Sequence, residues 1–250
     1  MRRILFPAFF LGIVSAALVF AQQATPPAAP PAAQGATTPQ IPVPVRHVLS
    51  VVVLDAGHGG ADSGARGQSG IVEKDWVMAA ARLVRAELQG DGFRVVMTRD
   101  GDEDPSFDDR AGKANAQRDA IFVSLHVSST GEPGTARVYS YQFSAPLAAS
   151  SAPPGWVPWN EAQRPFTNLS GRLADLMQVQ LAQRFRGSPE ISTAFPVRVL
   201  RSVAAPAVAV EISSVSVADP GQLDPLMQPL AQAIGRALIA FKPIYEAAAN

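Results

Sequence analysis

Residues 48–60 read VLSVVVLDAGHGG, an apolar, β-branched run followed at once by an aspartate, a histidine and three glycines. The apolar run is too short for a buried helix and is typical of a strand in the middle of a sheet. Glycine permits a tight turn and close approach of a ligand to the backbone. A lone histidine in such a turn is more often a solvated side chain than a ligand, so this stretch alone predicts only a central strand.

Strand-like and helix-like segments alternate along the rest of the chain. Apolar spacing predicts helices at 73–89, 107–118, 168–185 and 222–241, and short apolar runs predict further strands at 93–98, 120–126, 136–141, 197–200 and 207–212. Strands that alternate with helices require crossover connections. We therefore expect an α/β fold: a single domain with a twisted, mostly parallel sheet of about six strands and helices on both faces.

The first 45 residues have a different composition. Residues 1–21 combine a short basic start (MRR), an apolar stretch and a small-residue cleavage site at Val19-Phe20-Ala21, which predicts a signal peptide. Its length also suits a membrane anchor, but Pro7 and the cleavage site favour removal. Residues 22–45 are uncharged and rich in proline and alanine, which predicts a disordered linker. The catalytic or binding domain is then expected at 46–250, and the protein is expected in the periplasm or cell envelope.

Composition excludes several classes of protein. The chain carries 21 basic and 21 acidic residues with no basic block, so a nucleic-acid partner is not expected. No second segment is long enough to cross a membrane, so no membrane association is expected after removal of the signal peptide. The chain has no cysteine, which excludes disulfides, thiol chemistry and a lipidated cysteine anchor. We expect a monomer.

Four side chains that could bind a metal or take part in catalysis are expected at one edge of the sheet. His58 follows the first strand, His126 ends the third, Glu211 lies at the end of AVAV, and Glu73 opens the first helix. Ligands in open α/β sheets bind outside the carboxyl ends of the strands. Each residue also has a purely structural explanation: a core histidine, a glutamate favoured by the helix dipole, or a glutamate paired with an arginine. Their joint position favours a site. The third histidine, His47, is expected to be a solvated bystander.

Two imidazoles and one carboxylate form a catalytic zinc set that leaves a position for water. Such a site also needs a carboxylate that moves the proton of the water, and Glu211, among apolar neighbours, is suited to that role. Asp55 is expected either to orient an imidazole or to cap the turn, and the sequence leaves both open. The stretch GHGGAD departs from the dinucleotide fingerprint, and Ser124 and Ser128 lack a nucleophile elbow.

These residues carry a resemblance to a known family. The stretches VVVLDAGHGGADSGARG (51–67), GIVEKD (70–75), VVMTRDGDED (95–104), DRAGKANAQRDAIFVSLHVSS (109–129) and APAVAVEISSVS (205–216) resemble the zinc-dependent N-acetylmuramoyl-L-alanine amidases that cleave peptidoglycan. The resemblance implies that His58, Glu73 and His126 bind Zn²⁺ and that Glu211 is the catalytic acid and base. It implies hydrolysis of the bond between N-acetylmuramic acid and L-alanine, in cell-wall remodelling or daughter-cell separation.

Two other functions remain open beside the amidase: a non-catalytic peptidoglycan-binding or regulatory module, and a zinc peptidase that acts on the stem peptide. The chain also departs from the family pattern at two places, with Ser128 where an asparagine is usual and ISSVS (212–216) after the glutamate. Both departures are expected at edges that face the substrate, so they bear on substrate specificity.

Residues 131–167 are expected to overhang the metal. Prolines at 146, 153, 154, 158 and 165 leave no run long enough for a stable helix, so we expect an open site that needs no activator protein. Trp156 and Trp159 are expected to clamp this loop onto the domain or to contact substrate. Glu161 is near enough in sequence to reach the metal as an inhibitory carboxylate, but nothing in the sequence fixes it there.

Overall fold

The apolar runs of the sequence form the strands of one six-stranded sheet, seen in a computed structural model that describes residues 46–144 and 156–249. The signal peptide predicted at 1–21 and the linker predicted at 22–45 lie outside the described residues. So do residues 145–155 of the loop expected to overhang the metal. The strands are β1 (Val51–Ala56), β2 (Arg94–Met97), β3 (Ala120–Val127), β4 (Ala136–Tyr141), β5 (Thr193–Phe195) and β6 (Ala207–Ile212). The α-helices are α1 (Glu73–Gly90), α2 (Phe107–Asn115), α3 (Thr167–Ala182) and α4 (Met227–Ala249).

The sheet has the strand order β2-β1-β3-β6-β4-β5. Strands β2, β1, β3 and β6 are parallel to one another, whereas β4 runs antiparallel to β6 and β5 runs parallel to β4. The mostly parallel α/β sheet of six strands is therefore confirmed. The reversal at β4 has a simple cause: only eight residues separate β3 from β4, too few for the crossover that a parallel neighbour requires.

Side chains alternate between the two faces of the sheet, and each face has its own core. One face packs Val52, Leu54 and Ala56 of β1, with their counterparts on β3 and β6, against α1, α3 and α4. The other face packs Val51 and Val53 against the smaller helix α2, through Ala111 and Ala114. Helices therefore cover both faces, as predicted, and the central strands are buried on both sides.

Two segments differ from the sequence-based predictions. Residues 197–200, predicted as a strand, contain a 3₁₀ turn at Arg198–Leu200, and the edge strand is β5 instead. Val199 and Leu200 are buried in the core beside α2, so their apolar character reflects burial of a turn. Helix α4 spans Met227–Ala249 in place of the predicted 222–241: two 3₁₀ turns precede its start, and its end lies eight residues later than predicted. Within the described residues, none of the helices combines the length and apolarity needed to span a membrane.

A buried glutamine joins α3 to the reversed strand β4. Gln178 Oε1 accepts a hydrogen bond from the Val138 N–H at 2.8 Å, and Gln178 Nε2 donates to the carbonyls of Pro189 (2.7 Å) and Ala136 (3.3 Å). Strand β5 pairs with β4 only from Tyr139 onward, so the backbone of β4 before that point needs another partner. Gln178 supplies it.

Replacing Gln178 with methionine is expected to lower the free energy of unfolding by about 1–3 kcal/mol, because methionine fills the space but leaves buried backbone groups unpaired. Urea denaturation of the full chain measures the loss. The matched control is Gln183→Met, at the exposed end of the same helix, which is expected to have little effect. Equal stability of the two variants would contradict this role of Gln178.

Candidate metal and catalytic site

Polar side chains replace apolar ones at the carboxyl end of one sheet face. The face that packs on α2 begins with Val51 and Val53 on β1 and then presents Asp55. The same face of β3 ends in His126, and that of β6 ends in Glu211, which is the direct neighbour of His126 in the strand register. Because side chains alternate along each strand, the register of β3 and β6 places His126 and Glu211 side by side on this face.

His58 is presented by a turn with an unusual backbone. Its φ is +62°, and Gly59, Gly60 and Gly64 also have positive φ, which glycine adopts without strain. Two glycines leave room for the site itself. A Cβ at Gly57 would lie 2.5 Å from Cε1 of His126, and a Cβ at Gly64 would lie 2.5 Å from Oε2 of Glu73. The glycines of the motif are therefore needed both for the path of the turn and for the space around its neighbours.

Glu73 lies between the two histidines. Its Oε1 is 3.1 Å from Nε2 of His58 and 3.0 Å from Nδ1 of His126, and it accepts a hydrogen bond from the Val127 N–H at 2.9 Å. Its Oε2 accepts a hydrogen bond from the Ala65 N–H at 2.8 Å. Glu73 is the first residue of α1, so the helix start fixes its position. Its side chain is only 6% exposed, whereas the two imidazoles remain 21% and 27% exposed.

The three side chains fit one divalent metal ion. Among the described residues, one ligand atom from each of His58, Glu73 and His126 lies within 4.8 Å of the other two. Tetrahedral zinc with bonds of about 2.0–2.1 Å holds neighbouring ligand atoms about 3.3 Å apart. The two nitrogen–oxygen distances of 3.0 and 3.1 Å are close to that spacing. Nitrogen and carboxylate ligands suit zinc and other first-row divalent ions.

Electrostatics make this cluster a site for a cation. Burial by itself would raise the pKa of Glu73, but hydrogen bonds from His126 and His58 outweigh it and hold that pKa well below its usual range. Glu73 is therefore an anion at neutral pH. The hydrogen bond with Glu73 in turn raises the pKa of His58 against the opposing effect of burial. A buried anion with two imidazoles beside it attracts positive charge, whether a proton or a metal ion.

Asp62 orients His58, a role that the sequence analysis did not assign. Its Oδ2 lies 2.7 Å from Nδ1 of His58, which leaves Nε2 directed toward Glu73. The Gly64 N–H donates to the other oxygen of Asp62, and a pair of backbone hydrogen bonds between Gly59 and Asp62 closes the turn. The signal in the sequence was a carboxylate four residues after the histidine, but only the fold of the turn brings the two together.

Glu211 lies on β6 beside this cluster, where burial raises its pKa and the opposing charge of His126 lowers it less strongly. The hydroxyl of Tyr139 on β4 is a hydrogen-bond partner of this carboxylate. Burial was expected from Val208, Val210 and Ile212, but these side chains lie on the opposite face of the sheet. The burial instead arises on the α2 side, where β3 and β4 flank Glu211. A carboxylate with a raised pKa is a better proton acceptor.

Asp55 has neither of the two roles considered for it. It neither contacts an imidazole nor caps the turn; its Oδ1 accepts hydrogen bonds from Arg110 and Thr98, and its Oδ2 accepts one from Ser124, each at 2.6 Å. The site therefore rests on a buried ion pair between Asp55 and Arg110, with side chains 1% and 4% exposed.

Two buried arginines hold the carbonyls of the histidine turn. Arg110 donates to the carbonyls of Ala56 (3.0 Å) and His58 (2.9 Å). Arg99 donates to the carbonyls of Ala56 (2.8 Å) and Gly57 (3.0 Å). Three consecutive carbonyls, from Ala56 to His58, are thus bound by guanidinium groups, which fixes the backbone that carries the histidine.

The two departures from the family pattern are in contact with each other. Ser128 Oγ lies 3.2 Å from Ser213 Oγ, and the Ser128 N–H donates to the carbonyl of Ile212 at 2.9 Å. The two departures from the family pattern therefore lie together, at the carboxyl ends of β3 and β6.

His47 also differs from its prediction as a solvated bystander: its Nδ1 lies 2.8 Å from Asp119 Oδ1, at the amino end of β3.

The described parts of the loop 131–167 contain β4 and two short 3₁₀ turns, at Trp159–Glu161 and Arg164–Phe166. Trp159 Nε1 donates to Asp108 Oδ1 at 3.0 Å, so this tryptophan does clamp the loop onto α2. Trp156 is 74% exposed. Glu161 pairs with Arg164 at 3.3 Å and is not part of the His-Glu-His group that could hold a metal ion.

Fold and site together define an α/β protein with a His-Glu-His group at the carboxyl edge of its sheet and a basic carboxylate beside it. The model of one family, described as N-acetylmuramoyl-L-alanine amidase, matches residues 52–239. The chain belongs to this family.

Known proteins agree with this assignment. The N-acetylmuramoyl-L-alanine amidase AmiC of Neisseria meningitidis serogroup B is 36% identical over 102 residues, which cover 41% of this chain but only 24% of that relative. The solved structure of the amidase AmiC2 of Nostoc punctiforme superposes with a TM-score of 0.56 at 26% identity, over 77% of this chain and 96% of that one. The amidase Ami1 of Mycobacterium smegmatis superposes with a TM-score of 0.60 at 25% identity, over 80% of this chain and all of that one (100%).

Asp62→Asn is expected to weaken binding of Zn²⁺ or Co²⁺ by about 10–100-fold, because the amide no longer holds the ring of His58 as a carboxylate does. Competition with a chelating dye measures the affinity. The control Asp75→Asn removes an exposed negative charge from the first turn of α1. If both variants lose affinity equally, the effect is one of net charge and the orienting role of Asp62 is wrong.

Arg110→Met is expected to lower the free energy of unfolding by about 3–5 kcal/mol, because it leaves Asp55 charged and buried without its main partner. Chemical denaturation measures this loss. Replacing the exposed Arg82 with methionine is the control, and it is expected to change stability by about 0.5 kcal/mol or less. A small effect at Arg110 would show that Thr98 and Ser124 suffice to satisfy the carboxylate.

Proposed function

We propose that this chain is a zinc-dependent amidase that hydrolyses the amide bond between N-acetylmuramic acid and L-alanine in peptidoglycan. One observation carries the proposal: ligand atoms of His58, Glu73 and His126 converge to within 4.8 Å of one another, and Glu211 adjoins His126 in the strand register. Membership of the amidase family supplies the substrate class. Both imidazoles are partly exposed, which supports a site open to substrate without an activator protein.

In the proposed mechanism, His58 Nε2, His126 Nδ1 and a Glu73 oxygen would hold the metal. A zinc ion held there would supply Lewis acidity, which lowers the pKa of a water molecule and polarises the scissile carbonyl. Glu211 accepts the proton of the attacking water on a carboxylate oxygen and delivers it to the nitrogen of the leaving L-alanine. The water oxygen bonds to the lactyl carbonyl carbon, the bond between that carbon and the nitrogen breaks, and the second proton of the water also passes to the nitrogen, so a carboxylate and an ammonium group result. Asp62 keeps His58 oriented throughout.

The raised pKa of Glu211 supports its role in both proton transfers. A carboxylate with an ordinary pKa is a weak base at neutral pH, whereas burial strengthens this one. A hydrogen bond from the hydroxyl of Tyr139 lowers the pKa of Glu211, but less strongly than burial raises it. Glu73 has the opposite environment, with a lowered pKa that suits a permanently anionic ligand. The surroundings of the two carboxylates thus suit Glu73 to the role of ligand and Glu211 to the role of base.

Peptidoglycan lies outside the cytoplasmic membrane, so this function requires export. That requirement agrees with the signal peptide predicted at 1–21, and both the signal peptide and the linker at 22–45 stay predictions, as does a monomeric state. Digestion of purified sacculi by the full chain, followed by mass analysis, tests the function. An amidase releases intact stem peptides with a free L-alanine amino terminus. Cuts within the peptide would indicate a peptidase, and binding without release would indicate a non-catalytic module.

Glu211→Gln is expected to bind zinc normally but to lose turnover by about 10²–10⁴-fold, because the amide cannot accept the proton of the water. His126→Ala is expected to lose bound metal and activity together, because it removes a ligand. Metal analysis beside the sacculus assay separates the two effects, and Glu190→Gln, an exposed glutamate, is the matched control. Near-normal turnover in Glu211→Gln would remove this glutamate from the mechanism.

A further inference from the structure

A second cleft continues directly from the one that contains the histidines. The first cleft is lined by His58 and His126 and extends past Ser106, Phe107 and Val199. The second shares Ser106 and Phe107 with the first and extends along the start of α2 to the 3₁₀ turn that holds Arg198. A chain that leaves the catalytic cleft over Phe107 therefore enters this second cleft, which we name the arginine groove and define by Phe107, Trp159, Asn160, Arg198 and Arg201.

The arginine groove combines exposed aromatic rings with two guanidinium groups. Phe107 and Trp159 are 45% and 48% exposed, although large aromatic side chains usually lose most of their exposure on folding. Arg198 stacks over the ring of Phe107, with its guanidinium carbon 4.7 Å from the ring centre. Arg201 Nε donates to the carbonyl of Asn160 at 2.9 Å, which uses only one of its five N–H donors. Both guanidinium groups are thus oriented by contacts that leave donors to spare.

The charge of the groove is positive. Its lining contains two arginines and one carboxylate, Asp108, of which one oxygen already accepts the hydrogen bond from Trp159. Glu161, the next carboxylate along the loop, pairs with Arg164. Arginine forks bind carboxylates in paired hydrogen bonds. The groove therefore suits a chain that is anionic and partly apolar.

The groove is also held in place by a buried side chain. Gln163 is fully buried, and its Nε2 donates to the carbonyls of Val203 (2.8 Å) and Ala205 (2.7 Å). Its Oε1 accepts a hydrogen bond from Ser170, whose hydroxyl accepts one from the Ala207 N–H at the start of β6. These bonds join the segment that carries Trp159 to the segment that carries Arg198 and Arg201, so the two sides of the groove form one pre-organised surface.

We propose that the arginine groove binds the stem peptide of the substrate through its carboxylates, so that Arg198 and Arg201 determine which peptides are accepted. The inference rests on the proposed function. In an N-acetylmuramoyl peptide the lactyl carboxyl is consumed in the scissile amide, and the N-acetylated sugars are neutral. The peptide beyond L-alanine carries the free carboxylates. Charge complementarity therefore places the peptide, and not the glycan, in this groove.

Binding of the free peptide tests this proposal independently of catalysis. The ligands are synthetic L-alanyl-γ-D-glutamyl-L-lysine and the same peptide with both carboxylates amidated, titrated into the full chain by calorimetry. The native chain is expected to bind the carboxylate form about tenfold more tightly or better, as charged hydrogen bonds in a partly exposed cleft allow. This preference is expected to weaken as salt is added.

Arg198→Gln and the double variant with Arg201→Gln are expected to reduce binding of the carboxylate form toward that of the diamide and to leave the diamide unchanged. The single variant keeps the bond from Arg201 to Asn160, so it tests charge without disturbing the loop. The control Arg172→Gln removes an exposed arginine from α3, on the opposite face of the sheet, and is expected to have no effect.

Three results would overturn the proposal: no binding of the carboxylate peptide, equal binding of the two peptides by the native chain, or an unchanged preference in the variants. Loss of affinity for a neutral N-acetylglucosamine–N-acetylmuramic acid oligosaccharide amide in the variants, in place of the peptide, would assign the groove to the glycan. A failure of the proposed function looks different, since sacculi would then release no peptide while the arginine-dependent binding of the free peptide persists.

Discussion

The ion pair between Asp55 and Arg110 joins α2 to the three strands β1, β2 and β3 beneath the histidine turn. Asp55 lies one residue before the end of β1, Arg110 belongs to α2, Thr98 follows β2, and Ser124 lies on β3, and the last three side chains meet at the two carboxylate oxygens of Asp55. Two charges taken out of water cost more than their attraction returns unless further hydrogen bonds satisfy them. Here Asp55 accepts three, and Arg110 donates further to the carbonyls of Pro105, Ala56 and His58. Through Arg110, this buried ion pair therefore holds the backbone of the turn that carries His58.

The histidine turn needs that support because its backbone is intrinsically unfavourable. A non-glycine residue in the left-handed region costs about 1 kcal/mol or more, and His58 is such a residue. The guanidinium groups of Arg99 and Arg110 bind the carbonyls on both sides of it, and Asp62 binds its ring. The strain is therefore offset by polar contacts that also aim Nε2 at Glu73. The same contacts that hold an uncommon conformation make the imidazole a pre-organised ligand.

The sequence predicted the fold class and the convergence of His58, Glu73, His126 and Glu211, because parallel strands place their carboxyl ends at one edge. It did not predict the roles of Asp55 and Asp62, since the partners of Asp55 (Arg110, Thr98 and Ser124) are distant in sequence and only the fold of the turn brings Asp62 to the ring of His58. The turn at Arg198–Leu200 was mistaken for a strand because a short buried apolar run has no distinctive period. The reversal of β4 was detectable: the connection from β3 is too short for a crossover.

Side chains alternate along β3 and β6, so the same strands supply both the hydrophobic core and the residues of the candidate site. On β3, Ile121, Val123, Leu125 and Val127 face the larger core, while Phe122, Ser124 and His126 face α2. On β6, the same parity places Val208, Val210 and Ile212 in the larger core and Glu211 beside His126. A slip of one residue in either strand would turn an ionisable side chain into the larger core and move the apolar residues of that core to the face that packs on α2. The hydrophobic cores therefore favour this register, and the register places Glu211 next to His126.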